Sequence, residues 1–192
     1  MSFTGTEPET GTTRRELLTK VGMGLVGLTI STPFGAITPS EARKKRVPLG
    51  ILSAGEGRLL EAFGDVLLPG AAEAGIAHYV DDQLGRPEPL LFLKYMDSVG
   101  SYIDFYKQGL GSLEQLSRSR HKRSFPALAP DQSTTLVREI AQKNPDGWTG
   151  PPAPLLYFVV RNDAVDVYYG TPEGFARLGV PYMPMIDAPD NR

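Results

Sequence analysis

Residues 53–70 read Ser-Ala-Gly-Glu-Gly-Arg-Leu-Leu-Glu-Ala-Phe-Gly-Asp-Val-Leu-Leu-Pro-Gly, and the fold class is decided by this stretch. Ser53 with Glu56 is a capping box: the serine oxygen takes the amide three residues on, and the glutamate returns to the serine amide. Leu59, Leu60, Phe63, Val66 and Leu67 then recur at helical spacing, the mark of one apolar wall. Pro69-Gly70 ends the helix.

The same grammar continues on the C-terminal side. Ile76, Val80 and Leu84 predict a shorter helix closed by Gly85. Beyond Pro87 and Pro89, the longest periodic run (Leu93, Met96, Val99, Ile103, Tyr106 and Leu110) predicts a long helix. Ser112 with Gln115 reads as a second capping box opening a short helix through Leu116, and residues 118–126 as a basic connector. Pro130-Asp131-Gln132 has the form of a first turn, where the missing proline N–H costs nothing; Leu136, Val137, Ile140 and Ala141 give that helix its buried face. Asn144 to Pro154 is a loop with four prolines and the only tryptophan, Trp148. Leu155, Phe158, Val165 and Tyr169 share one helical face, although Leu155–Val160 alone also fits a buried strand; length favours the helix. From Gly170 onward, Thr171-Pro172-Glu173 predicts at most one short turn. The apolar but proline-broken end must cover its own core or lie on a partner.

The expectation is an all-α protein: one small irregular helical domain over 51–170, with an extended Pro-rich tail over 171–192. The composition agrees. The chain has 192 residues, 41% hydrophobic and 22% charged, with 21 Gly and 17 Pro, which excludes collagen, coiled coil and a polytopic membrane protein. Twenty basic residues face 22 acidic ones. Residues 1–50 hold seven Lys/Arg against four Asp/Glu, and residues 51–192 thirteen against eighteen. An acidic body behind a basic segment gives no field for nucleic acid. The absence of cysteine excludes disulfides, thiolate nucleophiles, cysteine-held iron–sulfur clusters and CxxCH haem attachment.

Residues 1–42 read as an export signal. Thr13-Arg14-Arg15-Glu16-Leu17-Leu18 matches the twin-arginine pattern, with Arg14 and Arg15 followed by the apolar Leu17 and Leu18. A mildly apolar stretch from Val21 to Ile30 follows, too short to span a bilayer, then small residues to Ala42. Ser40-Glu41-Ala42 offers a small-x-small cleavage site, and residues 43–50 form a basic linker beginning Arg43-Lys44-Lys45-Arg46. Gly22-Met23-Gly24-Leu25-Val26-Gly27 spells GxGxxG, with Glu41 nineteen residues beyond Gly22. No strand precedes it, and Pro33 and Pro39 break the helix that should follow, so dinucleotide binding is rejected.

Within the body, His78, Asp81 and Asp82 would share a helix face and begin a metal site, but further ligands are lacking. Their plainer reading is a surface histidine beside solvated acids. His121 lies in the basic run Arg118 to Arg123, a solvated connector or a patch for an acidic partner. Glu61 with Asp65, and Asp163 with Asp166, are acid pairs at helical spacing, by default on exposed faces. No GxSxG elbow occurs. The residues alone predict no catalytic, cofactor-binding or metal site.

The order of segments carries a resemblance. Leu59-Leu60-Glu61-Ala62-Phe63-Gly64-Asp65-Val66-Leu67-Leu68-Pro69-Gly70 is followed by Ala74-Gly75-Ile76-Ala77-His78-Tyr79-Val80-Asp81. Next come Phe125-Pro126-Ala127-Leu128-Ala129-Pro130-Asp131-Gln132 and Tyr157-Phe158-Val159-Val160-Arg161, leading to Tyr168-Tyr169-Gly170 and Leu178-Gly179-Val180-Pro181-Tyr182. With the twin-arginine leader, this resembles the subunit 3 family of gluconate 2-dehydrogenase. The ending departs from the family's usual Gly-Tyr-Pro-Gly, and a glycine-rich insert found in many members after Tyr169-Gly170 is missing.

The resemblance implies a non-catalytic small subunit of an exported dehydrogenase complex acting on a sugar, sugar acid or related alcohol. The large subunit would be an FAD-dependent flavoprotein of the glucose–methanol–choline type, and a cytochrome c subunit carrying haem c often completes such complexes. This chain would hold no cofactor, help the flavoprotein fold, and take it through the twin-arginine translocase to the periplasm, with membrane association through the partner subunits. Tyr168, Tyr169, Gly179, Pro181, Tyr182, Met183 and Met185 are the expected partner interface. The alternative is a free-standing exported interaction protein without a flavoprotein partner.

Overall fold

Helix α2 (Ala54–Leu67) begins where the capping box places it. The Ser53 oxygen accepts from the Glu56 amide at 3.2 Å, and Glu56 accepts from the Ser53 amide at 2.7 Å. The computed structural model describes residues 28–32, 35–96 and 100–181; the targeting residues Arg14, Arg15, Leu17 and Leu18, the GxGxxG stretch, and Tyr182, Met183 and Met185 lie outside them. The described chain belongs to one unit, Leu28–Tyr182.

In order, it contains a two-strand antiparallel hairpin, β1 (Ile30–Thr32) and β2 (Gly35–Ile37), then α1 (Pro39–Lys44), α2, α3 (Ala71–Ala74) and α4 (Ile76–Leu84). A 3-10 turn at Phe92–Tyr95 leads to α5 (Tyr102–His121), a second 3-10 turn at Phe125–Ala127, α6 (Pro130–Ile140), α7 (Ala153–Tyr169) and α8 (Pro172–Leu178). The all-α expectation holds for the domain.

Helix α2 is the hub. It packs against α3, α4, α5, α6 and α7, so its Leu59, Leu60 and Phe63 are buried among all of them. Phe63 meets Phe125 edge-on with ring centroids 6.2 Å apart, an arrangement worth about 0.5–1.5 kcal/mol beyond the area the rings bury. Helix α7 supplies Leu156, Val159, Val160, Ala164 and Val167 to the same core.

Four expectations need correction. The run from Leu93 to Leu110 is not one helix: residues 92–95 make a 3-10 turn, and α5 starts only at Tyr102, where the Ser101 oxygen accepts the Asp104 amide. Apolar residues at helical spacing continue across the break because Leu93 reaches the core from the 3-10 turn. Ser112 caps nothing. It is buried inside the twenty-residue α5, its hydroxyl 3.3 Å from that of Thr149, and Leu110, Leu113 and Leu116 on the same side hold the helix through Gly111. The basic run 118–121 is the last turn of α5 rather than a connector, where cations oppose the negative end of the helix dipole.

The fourth correction concerns the tail. Thr171 caps a seven-residue helix, α8, which packs on α7, so residues 172–178 are helical rather than extended. On the N-terminal side, the boundary drawn at Ala42 falls inside α1, which packs on α3 and α4.

Candidate partner-docking surface

Most of the acidic and histidine candidates are engaged in holding the chain together. His78 Nε2 lies 3.0 Å from the Val47 carbonyl oxygen. The Asp81 carboxylate is buried and accepts three consecutive amides, from Gly50 at 2.7 Å, Ile51 at 2.9 Å and Leu52 at 2.7 Å. Asp82 pairs with Arg86; burial pushes its carboxyl above the usual range while the guanidinium pulls it back. Among the described residues there is no group of three or more His, Cys, Asp or Glu side chains able to hold a metal ion.

The acid pairs separate in the same way. Glu61 bonds Arg43 at 2.8 Å, whereas Asp65 accepts the Gly70 and Ala72 amides and so ties the start of α3. Asp163 is fully buried, accepting the Tyr106 hydroxyl and the Phe92 amide, while Asp166 lies at the surface. Burial pushes Asp163 up to about 7 even against those two hydrogen bonds. In the basic run, Arg118 pairs with Glu114 and Arg120 with Glu139, so two of its three arginines are already answered within the domain.

Exposed apolar surface gathers elsewhere. Helix α7 buries Leu156, Val159, Val160, Asp163, Ala164 and Val167, which turns the face carrying Phe158 and Val165 outward. Phe158 is 41% exposed and Val165 39%. Phe158 packs edge-on against Phe92 at 5.1 Å, and Phe92 against Tyr95 at 5.8 Å. Tyr95 is 67% exposed with the Lys94 ammonium 4.8 Å above its ring, and Leu90 stands out beside them. The result is an aromatic cluster of Tyr95, Phe92 and Phe158 where the first 3-10 turn meets α7, with Val165 exposed two turns further along the helix. Clustered apolar surface with aromatic anchors is the usual composition of a binding face.

Tyr168 and Tyr169 close α7, their rings edge-on at 4.8 Å. Tyr168 is held from both sides within the domain: the Arg177 guanidinium stacks 4.5 Å from its centroid, and a β-carbon on Gly70 would sit 2.8 Å from its ring. Gly179 ends α8 in the left-handed region, and Pro181 is exposed. Sequence periodicity found the face shared by Phe158, Val165 and Tyr169 but not its direction, and it missed Leu90, Phe92 and Tyr95. The only signal for these was the apolar run after Pro89.

No described helix is long and apolar enough to cross a membrane. The chain belongs to the family described as gluconate 2-dehydrogenase subunit 3, which matches residues 54–186. That family name places it among the smaller parts of dehydrogenase complexes, in association with other subunits. No curated protein and no solved structure matches it.

Proposed function

We propose that this chain is the non-catalytic small subunit of an exported FAD-dependent dehydrogenase of the glucose–methanol–choline type, oxidising a sugar, sugar acid or related alcohol. The flavoprotein subunit holds FAD and carries out the oxidation, and a cytochrome c subunit takes the electrons onward. This chain assists the flavoprotein's folding and, through Arg14 and Arg15, carries it across the twin-arginine translocase into the periplasm.

The observation that carries the reading is the exposed apolar surface of Leu90, Tyr95, Phe158 and Val165, with the half-buried Phe92 joining Tyr95 to Phe158. A lone domain leaves such a face uncovered at a cost in solubility; against a large subunit it becomes the centre of an interface. On this reading Tyr182, Met183 and Met185 belong to the same interface.

The test is a tagged pull-down of the full chain from its native host, with flavin absorbance and mass spectrometry of co-purifying chains. A yellow complex containing a much larger flavoprotein supports the proposal. A colourless lone chain from both cytoplasm and periplasm overturns it in favour of the free-standing interaction protein.

A further inference from the structure

The segment between the leader and α2 is bound to the domain at every few residues. The Arg86 guanidinium donates to the Thr29 carbonyl, and β1 lies on α4. Thr38 and Glu41 form a capping box for α1, and the hydroxyls of Thr38 and Ser40 reach the Glu173 carboxylate at 3.3 and 3.5 Å. Arg43 bonds Glu61, Val47 meets His78, and Asp81 takes the amides of 50–52. These contacts reach acceptors and donors as much as 135 residues away in sequence.

The packing is as close as the hydrogen bonding. Pro39 and Ser40 are buried, and Ala42 is 0% exposed. Gly75 stands at φ +91°, and a β-carbon there would lie 2.3 Å from the Pro39 carbonyl oxygen. Only a glycine allows the start of α4 to approach α1 so closely.

We infer that residues 29–32 and 35–52 are a built part of the folded domain and stay on the exported chain: Ser40-Glu41-Ala42 is not a processing site, and any cut falls before Leu28. This rests on the export reading above, and the mechanism follows from it. The twin-arginine route carries folded cargo, so a peptidase meets this segment already folded. Proteolytic nicking concentrates at exposed loop tips and is opposed where the backbone is buried and hydrogen-bonded. Hydrolysis of the Ala42–Arg43 bond would require unwinding α1, pulling Ala42 out of the core, and breaking the Glu173 and Glu61 contacts.

Two measurements on the full chain test it. The first is intact mass and N-terminal sequencing of the chain recovered from the periplasm of its native host. An N-terminus at or before Leu28 is expected; one at Arg43 overturns the inference. The second is amide hydrogen exchange on the purified full chain. The amides of Ala42, Gly50, Ile51 and Leu52 should exchange within about tenfold of Val80 in α4. Exchange at the rate of an unstructured peptide overturns the inference whether or not the chain is exported. A chain found only in the cytoplasm would instead defeat the export reading, leaving the exchange result to decide whether residues 29–32 and 35–52 belong to the fold.

Discussion

The Tyr106 hydroxyl donates to the Asp163 carboxylate at a point where both residues are fully buried, and the second carboxylate oxygen accepts the Phe92 amide. One acid thereby joins α5, α7 and the first 3-10 turn. Burial raises Asp163 to about 7, whereas an aspartate in an unfolded chain titrates near about 4.

The sign of the pH effect follows. Between those two values the folded state holds a proton that the unfolded state has lost, so stability falls as pH rises. The contribution of Asp163 is complete below about pH 4 and gone once pH passes about 7. Urea unfolding of the wild type should therefore show a midpoint that declines across this window, over and above other groups. Asp163→Asn, which has no proton to lose, should flatten that part of the decline. Equal slopes for the two proteins would show that Asp163 titrates normally.

The exposed apolar surface at α7 predicts a separation of folding from assembly. Tyr95→Ser with Val165→Asp alters two exposed side chains, and surface changes of this kind shift stability by about 0.5 kcal/mol or less. The double variant should keep the wild-type thermal midpoint within a few degrees while recovery of the large subunit in pull-downs falls at least tenfold. Undiminished recovery would place the interface elsewhere on the chain.

Gly75→Ala should destabilise the protein by about 1–3 kcal/mol, the usual cost of forcing a strained backbone. The added methyl meets the main chain of Pro39 and Ser40, which cannot rotate away as a side-chain tip would. The loss should show first as faster amide exchange in 38–52, ahead of α5 and α7. A neutral or stabilising substitution would mean that α1 sits more loosely than described.

Arg14→Lys with Arg15→Lys should leave thermal unfolding unchanged and hold both this chain and its flavoprotein in the cytoplasm. Cell fractionation with a periplasmic dehydrogenase assay reads the result. Normal periplasmic activity in the double variant would refute co-export.

What the sequence made legible was local. Ser53 and Glu56 complete each other across three residues, and Pro130 carries its own signal, so both helix starts could be read directly. Ser112 has the same local pattern, but its partner Thr149 lies 37 residues away, and burial rather than capping decides its role. The stretch before α2 is silent for that reason too: its anchors are Asp81, Arg86 and Glu173, none of them near in sequence. On α7, periodicity defined two faces that are both apolar. Which one turns inward is settled by α2 and α5, beyond the reach of any window on α7 itself.

The contact from Thr38 and Ser40 to Glu173 joins the beginning of the domain to its last helix. During translation the strap emerges first and Glu173 only some 133–135 residues later, so the strap has no far anchor until α8 has been made. A nascent chain cut short upstream of α8 leaves Thr38 and Ser40 without that contact, and the two ends of the described domain close on each other only once the last helix is in place.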